Sequence, residues 1–242
     1  MSGPACIEQY LQQHGFESFH PKAVLFDMDG VLFDSMPFHA VSWHEAMAQC
    51  GLSMQPEDAY KYEGMRGTET IMLLARQQWG RELTEEEAAR FYRLKTERFA
   101  QCPPAQKMEG VEQLMRKMRE CGLTISVVTG SGQHTLLDRL EEAFGGLIDR
   151  DKIVTAFDVK QGKPSPEPYL AGLRKCHVQP WEAMVVENAP LGVRAAVGAK
   201  IFTVAVNTGP LPNQMLADEG ANLIYGSMTT FNNDWNNLRR NF

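Results

Sequence analysis

The stretch Ala23-Val24-Leu25-Phe26-Asp27-Met28-Asp29-Gly30 decides how this chain is read. Four apolar residues run directly into two acids separated by one residue, then a glycine, the pattern of a buried strand ending in a turn. On extended backbone, residues i and i+2 point to the same side, roughly 6 to 7 Å apart. Asp27 and Asp29 therefore face one pocket. Carboxylates that close resist joint ionisation, so a divalent cation must hold them or one must keep a proton. A nucleophile beside a general acid meets that requirement. A carboxylate can then attack phosphorus, with Mg²⁺ screening the incoming anion and the neighbouring acid protonating the leaving oxygen, so the chemistry predicted is phosphoryl transfer.

Working outward, similar apolar runs occur at Leu123–Val128, Lys152–Ala156, Ala183–Val186 and Ile201–Val206, each flanked by helical periodicity. Continuous apolar strands alternating with helices predict an α/β fold, with a parallel sheet covered on both faces. Between Asp34 and about Gln106 the alternation stops, and only helices are expected: Phe38–Cys50, Thr68–Trp79 and Thr84–Gln101. The last opens on Thr84-Glu85-Glu86-Glu87, which fits a capping box. The expected organisation is an N-terminal extension over residues 1–21 with a short helix near Ile7–Gln13, a core over 22–35 and 105–242, and a helical cap over 36–104.

Ligands of open α/β sheets sit beyond the carboxyl ends of the strands. The later strand ends and loops supply Thr129-Gly130-Ser131-Gly132, Gly162-Lys163-Pro164 and Glu187-Asn188. Hydroxyls and backbone N–H groups at Thr129, Gly130 and Ser131 suit phosphate oxygens. Lys163, in a stiff proline-rich loop, suits a transferring phosphoryl group, and Glu187 with Asn188 suits metal ligation opposite Asp27. Each has an ordinary reading as well: a turn for Asp27–Gly30, a helix N-cap for Thr129–Gly132, a surface lysine, a strand end with a cap. An EF-hand loop is excluded, since its glycine belongs at position six and here Gly30 is fourth. Their joint occurrence at the sheet's carboxyl edge favours chemistry over the ordinary readings.

Composition narrows the rest. The chain has 242 residues, 24 Lys plus Arg against 30 Asp plus Glu, and a formal charge of −6. That length buries roughly three quarters of the unfolded surface. The acidic balance argues against a nucleic-acid or polybasic membrane contact, and no uncharged apolar stretch long enough for a span occurs. Five scattered cysteines, Cys6, Cys50, Cys102, Cys121 and Cys176, predict reduced, buried thiols. A cytoplasmic protein is expected, with a monomer sufficient for a single capped site.

The ordered set Asp27-x-Asp29-Gly30-Val31, Thr129, Lys163 and Glu187-Asn188 resembles the haloacid dehalogenase superfamily of phosphotransferases. Its β-phosphoglucomutase-like branch is similar in Asp27–Ser35, Gly162–Pro168 and Glu187–Ala196. The resemblance implies a Rossmann-like core with an inserted all-helical cap, Mg²⁺, Asp27 as nucleophile, and Asp29 as acid and then base. It also implies Thr129 and Lys163 on the phosphoryl group, with Asp27, Asp29, Glu187 and Asn188 around the metal.

Two positions depart from the branch. Glu187-Asn188 stands where most members read Glu-Asp, exchanging an anionic ligand for a neutral amide oxygen, which weakens attraction for the metal unless another group supplies charge. Glu63, in Tyr62-Glu63-Gly64-Met65-Arg66-Gly67, precedes a glycine where the mutase carries lysine. On cap closure Glu63 is expected to reach the metal or its waters, leaving less room for a sugar; a solvated helix-end acid is the alternative. Both departures resemble an inorganic pyrophosphatase of the branch. Arg66 is expected to bind a second phosphate, unless it is a surface charge, and His39 to relay a proton near the hinge. His44, five residues from His39, shares no helix face with it and is expected to pack structurally. The expected activity is hydrolysis of pyrophosphate or a small phosphorylated metabolite. Alternatives are β-phosphoglucomutase activity and a non-catalytic phosphate-binding module.

Overall fold

A computed structural model describes residues 3–132 and 136–242; the first two residues of the expected N-terminal extension lie outside the described residues. The sheet has six parallel strands in the order β3-β2-β1-β4-β5-β6. These are β1 Ala23–Phe26, β2 Thr124–Val128, β3 Ile153–Val154, β4 Ala183–Glu187, β5 Phe202–Val206 and β6 Leu223–Tyr225. This is the doubly wound order in which chain direction reverses beside β1, opening a crevice between β1 and β4.

Alternation along the strands assigns the two faces. Val24 and Phe26 join the apolar cluster that includes Val127, Val186 and Val204, whereas Ala23 and Leu25 join Val128, Val185 and Ile201 on the opposite face. The first face is covered by α1 Gly3–His14, α6 Val111–Glu120, α7 Leu136–Phe144 and α11 Met228–Leu238; the second by α8 Glu167–Cys176 and α9 Pro190–Gly198. Every residue of β1 is buried, each large side chain contributing about 1.5–3 kcal/mol.

The interval after β1 is helical: α2 Met36–Gln49, α3 Pro56–Lys61, α4 Gly67–Trp79 and α5 Glu85–Ala100. Its apolar residues, among them Met47, Met54, Ile71 and Leu74, form a cluster of their own. The inserted helical cap therefore carries its own core. The capping box at the start of α5 is present, with the Glu87 N–H donating to Thr84 Oγ1 at 3.2 Å and the Thr84 N–H donating to Glu87 Oε2 at 2.8 Å.

Several expectations need correction. The third strand is only Ile153–Val154. The helix α3 was not anticipated, being a single short segment opened by Pro56. The edge strand β6 was missed because its apolar run is only three residues long and all half-buried. The first helix spans Gly3–His14 and plugs the core through Tyr10, whose hydroxyl donates to the Lys200 carbonyl at 2.9 Å. All five cysteines are free, but not all are buried, since Cys121 is exposed. A short helix, α10 Asn213–Asp218, lies between β5 and β6. No helix among the described residues is long and apolar enough to cross a membrane.

Candidate active site

Asp27 directly follows β1, and its backbone N–H still bonds to the Val186 carbonyl at 2.9 Å, so the sheet ladder fixes it. The chain then turns tightly: Leu32 N–H donates to the Met28 carbonyl at 2.8 Å and Gly30 N–H to the Phe33 carbonyl at 2.8 Å. Gly30 has φ +79°, and a Cβ there would lie 2.1 Å from Asn188 Nδ2. Only glycine permits both that left-handed backbone and that approach. The turn brings Asp29 back over the end of the strand, where Ser35 Oγ donates to Asp29 Oδ1 at 2.5 Å and His39 Nε2 stands 3.4 Å from the same oxygen.

Lys163 is 2% exposed. Its ammonium donates to Asp27 Oδ1, to Glu187 Oε1 at 2.6 Å and to the Val128 carbonyl at 3.3 Å. Glu187 is fully engaged by the protein. Oε1 also accepts from the Tyr169 hydroxyl at 2.7 Å, and Oε2 accepts the N–H groups of Asn188 at 2.9 Å and Ala189 at 3.2 Å. Space for this carboxylate comes from α9, where a Cβ on Gly192 would fall 1.8 Å from Glu187 Oε1. In this arrangement Glu187 steadies Lys163.

The cap closes the site from above. Asn188 Nδ2 donates to Glu63 Oε2 at 3.0 Å, joining core to cap. On the cap side Lys95 Nζ lies 2.7 Å from His39 Nδ1, and the His39 ring stacks on Phe99 with centroids 4.1 Å apart. With Lys95 as an ammonium it donates to Nδ1, leaving the Nε2–H to face Asp29. One line of hydrogen bonds thus runs from α5 through α2 to Asp29.

Electrostatics follow from burial. Burial pushes Asp27 up, opposed by Lys163 and reinforced by the Glu187 charge. Burial also acts upward on Asp29, but the facing His39, its hydrogen bond and that of Ser35 outweigh it and hold the group at about 2. Glu63 is raised well above the carboxylate range by burial and then by the charges of Asp27, Glu187 and Asp29. Lys95 is lowered to about 8 by burial, against the pull of Asp29. His39 is lowered by burial and by the Lys95 charge. Carboxylates thus crowd the end of the sheet with Lys163 as their buried counter-charge.

That imbalance tests the fit of a cation. Among the described residues Glu63 Oε1 and Asn188 Oδ1 are buried without a hydrogen-bond partner, and with the Asp27 carboxylate they offer hard oxygen donors only. Among the described residues no three His, Cys, Asp or Glu side chains form a ready-made metal cage. Mg²⁺ needs none, binding through one or two carboxylates while keeping waters. These residues fit it.

The structure brings Asp27, Asp29, His39, Glu63, Thr129, Gly130 and Ser131 around one cleft, which gives ≈ 120 Å³ to the centres of water-sized molecules. Lys163, Glu187 and Asn188 stand at its buried floor. Arg66 is placed elsewhere. Its guanidinium donates to the Val159 carbonyl at 2.9 Å, and it lines a smaller adjoining cavity. His44 packs as expected, its Nδ1 lying 2.8 Å from the Met54 carbonyl. Sequence reasoning missed Lys95, Arg139, Ser35 and Tyr169. A signal existed for Lys95, because Ala88, Tyr92, Lys95 and Phe99 recur at helical spacing and put a charge on an otherwise apolar face.

A family model described as haloacid dehalogenase-like hydrolase matches residues 24–206. Hexitol phosphatase A of Escherichia coli is 31% identical over 77% of this chain and 83% of its own. Validoxylamine A 7′-phosphate phosphatase of Streptomyces hygroscopicus is 29% identical over 77% and 86%. Among solved structures, a candidate β-phosphoglucomutase from Bacteroides vulgatus superposes with a TM-score of 0.95 and 51% identity, covering 99% of this chain and 97% of that one.

Proposed function

The chain belongs to the haloacid dehalogenase-like hydrolases, and from that premise we propose a magnesium-dependent phosphohydrolase acting on inorganic pyrophosphate or a comparably small phosphorylated metabolite. The observation that carries this reading is Asp27 at the tip of β1, clamped by Lys163 and sharing a small cleft with Asp29.

An Asp27 carboxylate oxygen attacks phosphorus as the bond to the leaving oxygen breaks, giving an aspartyl phosphate. Lys163 and Thr129, with the Gly130 and Ser131 backbone, hold the transferring group. A water then attacks phosphorus, Asp29 accepts its proton, and phosphate departs with Asp27 restored. Bound magnesium, held by Asp27, Asp29 and Asn188 with Glu63 above them, would neutralise charge on the transferring group. Glu187 stands beside them as the support of Lys163. Asp29, ionised as the site stands, is ready as the base. Its service as acid matters least for pyrophosphate, whose leaving group is a weakly basic phosphate.

Size supports a small substrate, since ≈ 120 Å³ is well below the about 300–1,000 Å³ of pockets for drug-sized ligands. One chain supplies the whole cleft, so we take a monomer to be sufficient, and the five free thiols fit a reducing, cytoplasmic setting. With a formal charge of −6, neither nucleic acid nor membrane is a partner in this reading.

Phosphate release from pyrophosphate with Mg²⁺ is the test, and Asp27→Asn is expected to lower it by at least about 1,000-fold. A variant that kept its rate would refute the nucleophile. The similarity to the Bacteroides vulgatus protein favours a second reading, a β-phosphoglucomutase. Interconversion of β-glucose 1-phosphate and glucose 6-phosphate without accumulating phosphate would establish that reading instead.

A further inference from the structure

The cleft has a cationic side that the reaction above does not use. Arg139, on α7, lines the same cleft as Asp29, His39 and Lys95. Its guanidinium carbon lies over the Phe33 ring, 4.1 Å from the centroid. Its Nη2 is buried and has no hydrogen-bond partner among the described residues. A charged donor buried without an acceptor is costly, and a fold sustains it readily where a ligand completes the bond. Lys95, 4% exposed, adds a second positive charge to this side. Arg66 is committed to the Val159 carbonyl, so the role of second-anion receptor, expected of Arg66, falls to another residue.

We propose that Arg139 receives an anionic leaving group, so that the substrates are those whose departing portion carries its own phosphate or comparable oxyanion, pyrophosphate foremost. This rests on the phosphohydrolase reading and deepens it. The planar guanidinium fork matches phosphate oxygens and gives direction as well as charge. The cleft then binds a diphosphate end to end. The phosphoryl group to be transferred lies against Asp27 and Lys163, and the leaving phosphate lies toward α7. A neutral sugar in the second position would leave the Arg139 donor unsatisfied, so the site discriminates against it.

The test is calorimetric titration of the Mg²⁺-loaded protein with two ligands that cannot be hydrolysed, methylenediphosphonate and methylphosphonate. Wild type is expected to bind the diphosphonate at least about 10-fold more tightly, and Arg139→Met to bring the two affinities within about 2-fold. Should R139M fail to fold by circular dichroism, R139K is read in the same way. It keeps the charge but loses the fork, and its ratio is expected to fall severalfold. Equal affinities in wild type, or an undiminished ratio in the folded variant, would overturn the proposal. Neither ligand reacts, so a failure here leaves the Asp27→Asn result standing, and loss of the nucleophile's role leaves this ratio interpretable.

Discussion

Replacing Lys163 by methionine tests the electrostatic design of the site without relying on any substrate. The ammonium is 2% exposed and hydrogen-bonds to Asp27, Glu187 and the Val128 carbonyl. Methionine fills nearly the same volume, so the loss is almost purely that of the charge. Two buried carboxylates remain without their cation, a situation that costs about 3–5 kcal/mol. In a domain of this size 1 kcal/mol moves Tm by about 2–4 °C, so the variant should melt roughly 6–20 °C below wild type. The pH dependence has a definite sign. Lys163 is held above its ordinary value by Asp27 and Glu187 against the effect of burial, so its stabilisation is fully present below about pH 10.4 and fades only above it. At the acid end burial raises Asp27, which takes a proton more easily once the ammonium is gone, relieving the variant. Because Asp27 is pushed up to about 8 even beside the ammonium, the gap between the proteins should be widest from about pH 9 to 10 and narrower at pH 5. Calorimetric melting across that range measures it. A Tm difference under about 3 °C at pH 9.5, or a gap that widened toward pH 5, would refute the reasoning.

Glu63→Gln removes the ionisable carboxyl while keeping an oxygen that can accept from Asn188 Nδ2. The Mg²⁺ concentration for half-maximal phosphate release should rise by about 10- to 100-fold; an unchanged requirement would remove Glu63 from the metal's surroundings. Tyr169→Phe deletes the buried hydroxyl that donates to Glu187 at 2.7 Å. Urea unfolding should register a loss of about 1.5–3 kcal/mol, accompanied by slower turnover, since Glu187 also steadies Lys163.

Much of this molecule was legible in its sequence. Ala23–Phe26 is apolar at every position because helices cover both faces of the strand, and that continuous run gave away the parallel sheet. The acids after it were legible because a two-residue spacing on extended backbone has one geometric outcome. The helical insertion announced itself by the loss of strand signals and by the Thr84–Glu87 box. The edge strand Leu223–Tyr225 was illegible, since three half-buried apolar residues are too short a run to register. Long-range pairings were hidden for a different reason. Tyr169 meets Glu187, and Lys95 meets His39, across loops whose closure no local pattern encodes. Arg139 on its amphipathic helix looks like any solvated arginine until the cap and the Phe33 turn are folded around it. Arg66, chosen for its nearness to Glu63 in sequence, points to a different cavity because neighbouring residues in a loop need not share a direction.

Gly192 is buried on α9 and does not line the cleft. Yet a single methyl group there would collide with the Glu187 carboxylate and, through it, dislodge the lysine that grips Asp27. Tolerance to mutation in this enzyme should therefore map onto chains of steric contact more faithfully than onto distance from phosphorus. A survey of alanine substitutions ought to find α9 as unforgiving at that one position as the cleft itself.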